Sequence, residues 1–131
     1  MSDQPLKELK VHQILIRFWP GRIVELLYPD EFDLNLTEAK EIDDIIQNET
    51  NLSPFKLLIN FENSYGSMSH EVQDFFAHKA PTVPYIEKSA IVLNNLGVRL
   101  LVKFYLRFFK PSYPSQIFGS KEAALNWLNS L

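Results

Sequence analysis

The sequence predicts an α/β fold built on a mostly parallel sheet with an antiparallel edge, and three observations lead to this prediction. Two apolar strand patterns, Val11–Trp19 and Arg22–Tyr28, flank Pro20-Gly21, a pair favoured in tight turns, and so predict a hairpin. Phe55–Phe61 is almost continuously apolar, which indicates a central strand buried on both faces. Helix-like and strand-like segments then alternate to the C-terminus, as in parallel sheets with helical crossovers.

The predicted element order is β-β-α-β-α-β-α-β-α. Besides the hairpin, the predicted strands are Phe55–Phe61, Ser89–Leu93 and Ser115–Phe118. Each helix is predicted where a residue that favours the N-cap precedes an apolar repeat of helical period. These caps are Asn35 or Thr37, Ser69, Asn94 or Asn95, and Ser120.

The first helix has two predicted faces. Its apolar residues recur at helical spacing and predict an inner face of Ala39, Ile42, Ile45 and Ile46. Its acidic residues predict a solvent face of Glu38, Glu41, Asp43 and Asp44. We therefore interpret the four carboxylates as a solvated helix surface and not as a carboxylate site.

Length and composition predict a single domain over residues 11–131, preceded by a flexible leader of residues 1–10. The chain has 131 residues and a formal net charge of −3, which argues against a general nucleic-acid binder. It contains no cysteine, so disulfides and thiolate metal sites are excluded. The polar N-terminus and the lack of a long apolar run predict a cytoplasmic protein, with the surface of the inner membrane as an alternative location.

The segment Leu96–Lys110 gives the strongest indication of function. Four cations recur at steps of four, four and three residues, and on a helix they form a basic stripe about 80° wide. The basic stripe consists of Arg99, Lys103, Arg107 and Lys110. The other positions from Leu100 to Phe109 are apolar or aromatic, an arc of about 240° that exceeds what packing on one sheet requires. We expect this surplus to meet a ligand or an interface through Leu101, Phe104, Tyr105, Phe108 and Phe109.

The other polar residues give little indication of a catalytic, metal-binding or modification site. Ser64, Ser67 and Ser69 are candidate phosphorylation sites, although helix capping and loop polarity explain them more simply. His70, Asp74 and His78 share a helix face but span about 12 Å, too far for one metal ion to bind both histidines. Phosphate-loop, nucleophile-elbow and zinc-protease motifs are absent, and His12 has no apparent acidic partner. We predict no enzyme activity, no cofactor and no metal.

Four segments of the C-terminal third carry a resemblance to a known fold. They are Ser89-Ala-Ile-Val-Leu-Asn-Asn-Leu-Gly-Val-Arg-Leu-Leu, Phe104-Tyr-Leu-Arg-Phe-Phe-Lys-Pro, Pro114-Ser-Gln-Ile-Phe-Gly-Ser and Glu122-Ala-Ala-Leu-Asn-Trp-Leu. They resemble the SpoIIAA-like or STAS-like fold, and within it small uncharacterised STAS/SEC14-type domain proteins of the Bacteroidetes. The resemblance implies a four- to five-stranded mixed sheet with about four helices packed mainly on one face.

The resemblance implies two kinds of function. Anti-sigma-factor antagonists of this fold bind a kinase and are switched by phosphorylation of a serine after the third strand. Here that region reads Asn60-Phe-Glu-Asn-Ser-Tyr-Gly-Ser-Met-Ser, without the usual Asp-Ser-Ser-Gly. Other members resemble carriers of lipid or apolar ligands that associate with membranes through helices lining a pocket. The helix after their fourth strand is apolar and mobile, and Leu96–Lys110 is similar to it in position and character.

We expect a non-enzymatic regulatory or protein-interaction module that self-associates through the helix 96–110. The alternative is a protein that binds lipid or another apolar molecule and associates peripherally with membranes. The candidate partners are therefore a second copy of the chain, another protein, and a lipid or membrane surface; nucleic acid is not among them.

Overall fold

The computed structural model describes residues 4–62 and 64–130, with residues 65–67 described by their backbone alone. Within these residues the strands are β1 (Lys7–Val11), β2 (Ile14–Trp19), β3 (Ile23–Leu27), β4 (Glu31–Leu34), β5 (Phe55–Phe61), β6 (Tyr65–Met68), β7 (Ile86–Leu93) and β8 (Ser115–Phe118). Six of them form the main sheet in the spatial order β1-β2-β3-β5-β7-β8. The first three are antiparallel neighbours, and β3, β5, β7 and β8 run parallel.

The main sheet has six strands, so the predicted count of four to five was too low. All five predicted strands are present, and the additional one, β1, begins at Lys7 within the segment predicted as a leader. The predicted strand Val11–Trp19 is divided because His12 and Gln13 adopt positive φ angles of 50° and 71°. These two residues turn the chain between β1 and β2, so that Val11 lies opposite Ile14.

A second, two-stranded sheet forms from two segments for which the sequence predicted no strand. Strands β4 and β6 pair in parallel, with Phe32 opposite Gly66. Phe32 fixes this small sheet to the main one, because its ring centroid lies 4.8 Å from that of Tyr28 and 5.6 Å from that of Phe61. The small sheet therefore continues from the ends of β3 and β5.

Four α-helices are present in the described part of the chain: α1 (Leu36–Thr50), α2 (His70–Asp74), α3 (Leu96–Phe109) and α4 (Lys121–Leu128). A π-helical turn, Phe75–Lys79, extends α2. Each helix is directly preceded by a residue that was predicted as its cap, and each cap side chain accepts a backbone hydrogen bond. The caps are Asn35, Ser69, Asn95 and Ser120.

The helices cover both faces of the main sheet. Residues of α1, α2 and α3 pack with one large cluster that includes Ile42, Val72 and Ile91. On the opposite face α4 packs alone, and Leu128, which is fully buried, contributes to a smaller cluster with Leu58. The large cluster on the three-helix face contains the candidate site.

Candidate functional site

A cavity of about 350 Å³ lies between the main sheet and the three helices on that face. Leu57 and Ile91 of the sheet form part of one wall, and Ile46 of α1 with Val98 and Val102 of α3 form part of the other. The lining is mostly aliphatic and aromatic. Cavities of this size and character are typical of natural binding sites for small apolar ligands, which range from about 300 to 1,000 Å³.

Helix α3 covers the cavity without being buried itself. None of its residues is fully buried. Leu96, Leu100, Leu101, Phe104 and Phe108 are between 53% and 72% exposed. The wide apolar arc predicted for this segment is therefore present and divided, since one part lines the cavity and the other faces solvent.

The cavity opens beside α3. Leu101 and Phe104 line it although each is more than half exposed, and so does the exposed His70 at the start of α2. An aromatic row borders this opening, because the Phe104 and Phe108 rings stack at 5.4 Å and His70 lies 6.3 Å from Phe108. The opening through which a ligand reaches the interior therefore lies beside Leu101 and Phe104.

Three tyrosines supply most of the hydroxyl groups of the lining. Tyr28 and Tyr113 are buried, and Tyr105 is half-buried on α3. The Tyr113 hydroxyl donates to the Phe76 carbonyl at 2.9 Å and is also a hydrogen-bond partner of Tyr105. Burial raises the pKa of Tyr105 to about 12 and the pKa of Tyr28 and Tyr113 well above the usual value, so all three are neutral at pH 7.

Asp43 is the carboxyl group of the lining, and its position corrects the sequence interpretation. It was assigned to the solvent face of α1, yet it is only 2% exposed. The Thr82 hydroxyl donates to Oδ1 and Gln47 Nε2 donates to Oδ2 at 2.8 Å. Burial raises the pKa of this carboxyl. The sequence contained an indication of this burial, because on a helical wheel Asp43 lies only about 40° from Ala39, a residue of the predicted inner face.

The predicted interface residues separate into two groups. Leu101, Phe104 and Tyr105 line the cavity. Phe108 and Phe109 lie beyond it and contact the His70 ring. All five therefore belong to one continuous region that joins the cavity to the exposed face of α3.

The basic stripe lies outside the cavity. Arg99 is half-buried, and Lys103, Arg107 and Lys110 are exposed. At about 100° per residue the stripe borders the exposed apolar residues on one side. Helix α3 contains no acidic residue, so this face is positively charged in a chain whose net charge is negative.

The three candidate serines have different environments. Ser64 is 2% exposed, and its hydroxyl donates to the Tyr28 carbonyl at 3.0 Å. Ser69 is exposed and caps α2 by accepting from the Val72 amide at 3.2 Å. The Ser67 side chain lies outside the described residues. Phosphorylation stays a prediction, and a kinase would reach Ser64 only after the chain around it opened.

The histidines are occupied by other contacts. His78 has the Ser112 hydroxyl and the Phe109 carbonyl as partners. His12, for which the sequence showed no acidic partner, lies 2.5 Å from Glu41 and 3.3 Å from Glu38. The hydrogen bond to Glu41 raises its pKa. No group of three or more histidine, aspartate or glutamate side chains among the described residues is placed to hold a metal ion.

The described part of the chain contains four α-helices and two short helical turns. None of the helices there has both the length and the apolar character needed to cross a bilayer.

A solved structure supports the predicted fold. An uncharacterised protein of the DUF3478 family from Shewanella loihica PV-4, described as having a SpoIIAA-like fold, superposes with a TM-score of 0.57 and 15% sequence identity. The alignment covers 98% of each chain. At this identity the likeness concerns the fold, and it confirms the SpoIIAA-like architecture that the C-terminal segments indicated.

The sequence comparisons place the chain in a family. No curated protein matches it. The model of a domain of unknown function, DUF7793, matches residues 18–131, which include the cavity and all of α3. The chain therefore belongs to the DUF7793 family, within the SpoIIAA-like fold.

Proposed function

We propose that this protein binds an apolar small molecule or lipid in the cavity and exchanges it at a membrane surface. The observation that carries the proposal is the cavity of about 350 Å³ beneath α3, with a mostly apolar lining. A methylene group occupies about the volume of a water molecule, roughly 30 Å³, so the space holds a chain of about 12 carbon atoms. The alternative function considered from the sequence is therefore the better supported one.

The exposed part of α3 supports the membrane step of this function. Its apolar residues are directed away from the sheet, and the basic stripe lies beside them. Exposed apolar side chains bordered by cations are typical of helices that lie on anionic membranes. Because Leu101 and Phe104 both line the cavity and reach solvent, contact at this face would place the opening against lipid.

Binding of a neutral fluorescent probe tests the proposal. N-phenyl-1-naphthylamine should bind the protein stoichiometrically, and native mass spectrometry of gently purified protein should show a co-purifying apolar molecule. A cavity variant, Val102→Trp, should lose probe affinity, whereas Leu100→Trp, on the exposed face of the same helix, should retain it. Failure of the unmodified protein to bind the probe would contradict the proposal.

Self-association through α3 is a second candidate, because five large apolar side chains are exposed on one helix. Apolar clusters of this kind commonly mark protein interfaces. A dimer and a membrane would compete for the same face, so light scattering with and without anionic vesicles separates them. A protein that stays monomeric at all accessible concentrations would exclude the dimer and leave ligand binding unaffected.

A further inference from the structure

The two buried carboxyl groups among the described residues have opposite surroundings. Glu25, fully buried on the α4 face, has Lys121 Nζ at 3.1 Å and Arg17 at 3.9 Å. It also accepts from the Trp19 indole and the Asn60 amide. A buried carboxylate usually needs a nearby cation and several hydrogen-bond donors, and Glu25 has both.

Asp43 has donors but no cation. It accepts three hydrogen bonds, from the hydroxyl and the backbone amide of Thr82 and from the side-chain amide of Gln47, and all three donors are neutral. No lysine or arginine lines the cavity among the described residues, and the residues outside them contain neither. A carboxylate can accept about four hydrogen bonds, so Asp43 retains about one acceptor position, and its side chain belongs to the cavity lining.

The charge of the remaining wall also matters for the ligand. The three tyrosines are neutral, and the described lining otherwise contains one histidine, His70, at the opening. A carboxylate head group would therefore enter a site that offers it no resident cation and a second carboxyl group. Two carboxyl groups in a site of low polarity cannot both ionise without a large cost.

On the basis of the function proposed above, we propose that the cavity selects an amphiphile whose head group is a hydrogen-bond donor, a hydroxyl or an amine, which binds Asp43. The same geometry rejects ligands with a carboxylate head group. Asp43 is then a specificity-determining residue, because a donor satisfies its remaining acceptor position while an anion leaves that position unsatisfied.

Displacement of N-phenyl-1-naphthylamine by ligands with one chain length tests this inference. Decanol, decylamine and decanoate differ only in the head group, and all fit the estimated volume. One unsatisfied buried polar group changes affinity by about tenfold or more, so decanol or decylamine should displace the probe at a tenth of the decanoate concentration or less. Whichever of the two donors binds more tightly identifies the preferred head group.

Substitution of Asp43 is the second part of the test. Asp43→Asn replaces one carboxylate oxygen by an amide donor. The ratio between the displacing concentration of decanoate and that of the better donor ligand should therefore fall to about threefold or less. Asp44→Asn is the matched control, since Asp44 is exposed and outside the cavity lining, and it should leave the preference unchanged. Circular dichroism verifies that each variant is folded.

The outcomes are distinct. Decanoate binding as tightly as decanol and decylamine in the unmodified protein overturns the inference even if Asp43→Asn does not fold. An unchanged preference in folded Asp43→Asn also overturns it. Both results leave apolar ligand binding intact, whereas failure of the probe itself to bind overturns the proposed function as well.

Discussion

The cavity volume predicts the longest chain that the protein can accommodate. Each buried methylene contributes about 0.8 kcal/mol, so the affinity for straight-chain alcohols should rise about fourfold per carbon while the chain still lies within the cavity. With about 350 Å³ available and roughly 30 Å³ per methylene, the rise should stop near 12 carbons. Further methylenes would extend past Leu101 and Phe104 into solvent and add little.

Val102→Trp should move this limit by a calculable amount. Val102 lines the cavity from α3, and tryptophan occupies roughly 90 Å³ more than valine, equivalent to about three methylenes. The affinity should therefore stop rising near nine carbons in the variant. Isothermal titration calorimetry with alcohols from hexanol to tetradecanol measures both limits without the probe, and Leu100→Trp should keep the original one. The same limit in Val102→Trp and the unmodified protein would refute the assignment of the cavity as the binding site.

Three further predictions concern the surface. Phe108→Asp should abolish any dimer seen by light scattering while shifting the melting temperature by only a few degrees, since the side chain is 63% exposed; a dimer that persists would place the interface elsewhere. Lys103→Gln with Arg107→Gln should weaken binding to anionic vesicles by about 2 kcal/mol, roughly 30-fold, but Lys10→Gln with Lys40→Gln should not, and equal losses would indicate a non-specific charge effect. The folded pKa of His12 is raised above 6.5, so its stabilising contribution is fully present below pH 6.5 and is lost as the pH rises through the folded pKa. Urea midpoints should therefore vary less with pH in His12→Ala, and parallel pH profiles would contradict the role of Glu41.

Local patterns predicted the elements well because each depends on neighbouring residues. The apolar run Phe55–Phe61 is β5 with the predicted bounds, and the four helix caps lie among the residues that capping preference indicated. Strands β4 and β6 were missed because each is short and its partner is about 30 residues away. Neither segment shows the pairing until the chain has folded.

The candidate site was predicted only in part, for the same reason. The width of the apolar arc indicated that Leu96–Lys110 meets something besides the sheet, and the sequence left a ligand, a membrane or a second copy open. The apolar pattern could not predict the polar residues of the cavity lining. Asp43 follows Ile42 within an acidic stretch, and its burial depends on Thr82, which arrives 39 residues later. The carboxylates beside His12 likewise come from a different element.

Helix α4 is the one helix on its face of the main sheet in the described part of the chain, and this affects how a ligand could enter the cavity. Strands β7 and β8 flank α3 in sequence, and α4 seals the reverse side of the sheet that contains them. The sheet therefore keeps the hydrophobic cluster that it forms with α4 even when α3 moves. Movement of α3 would then be a local opening, less costly than global unfolding. Its amides should exchange with deuterium faster than those of β7, and bound ligand should slow them more than any others.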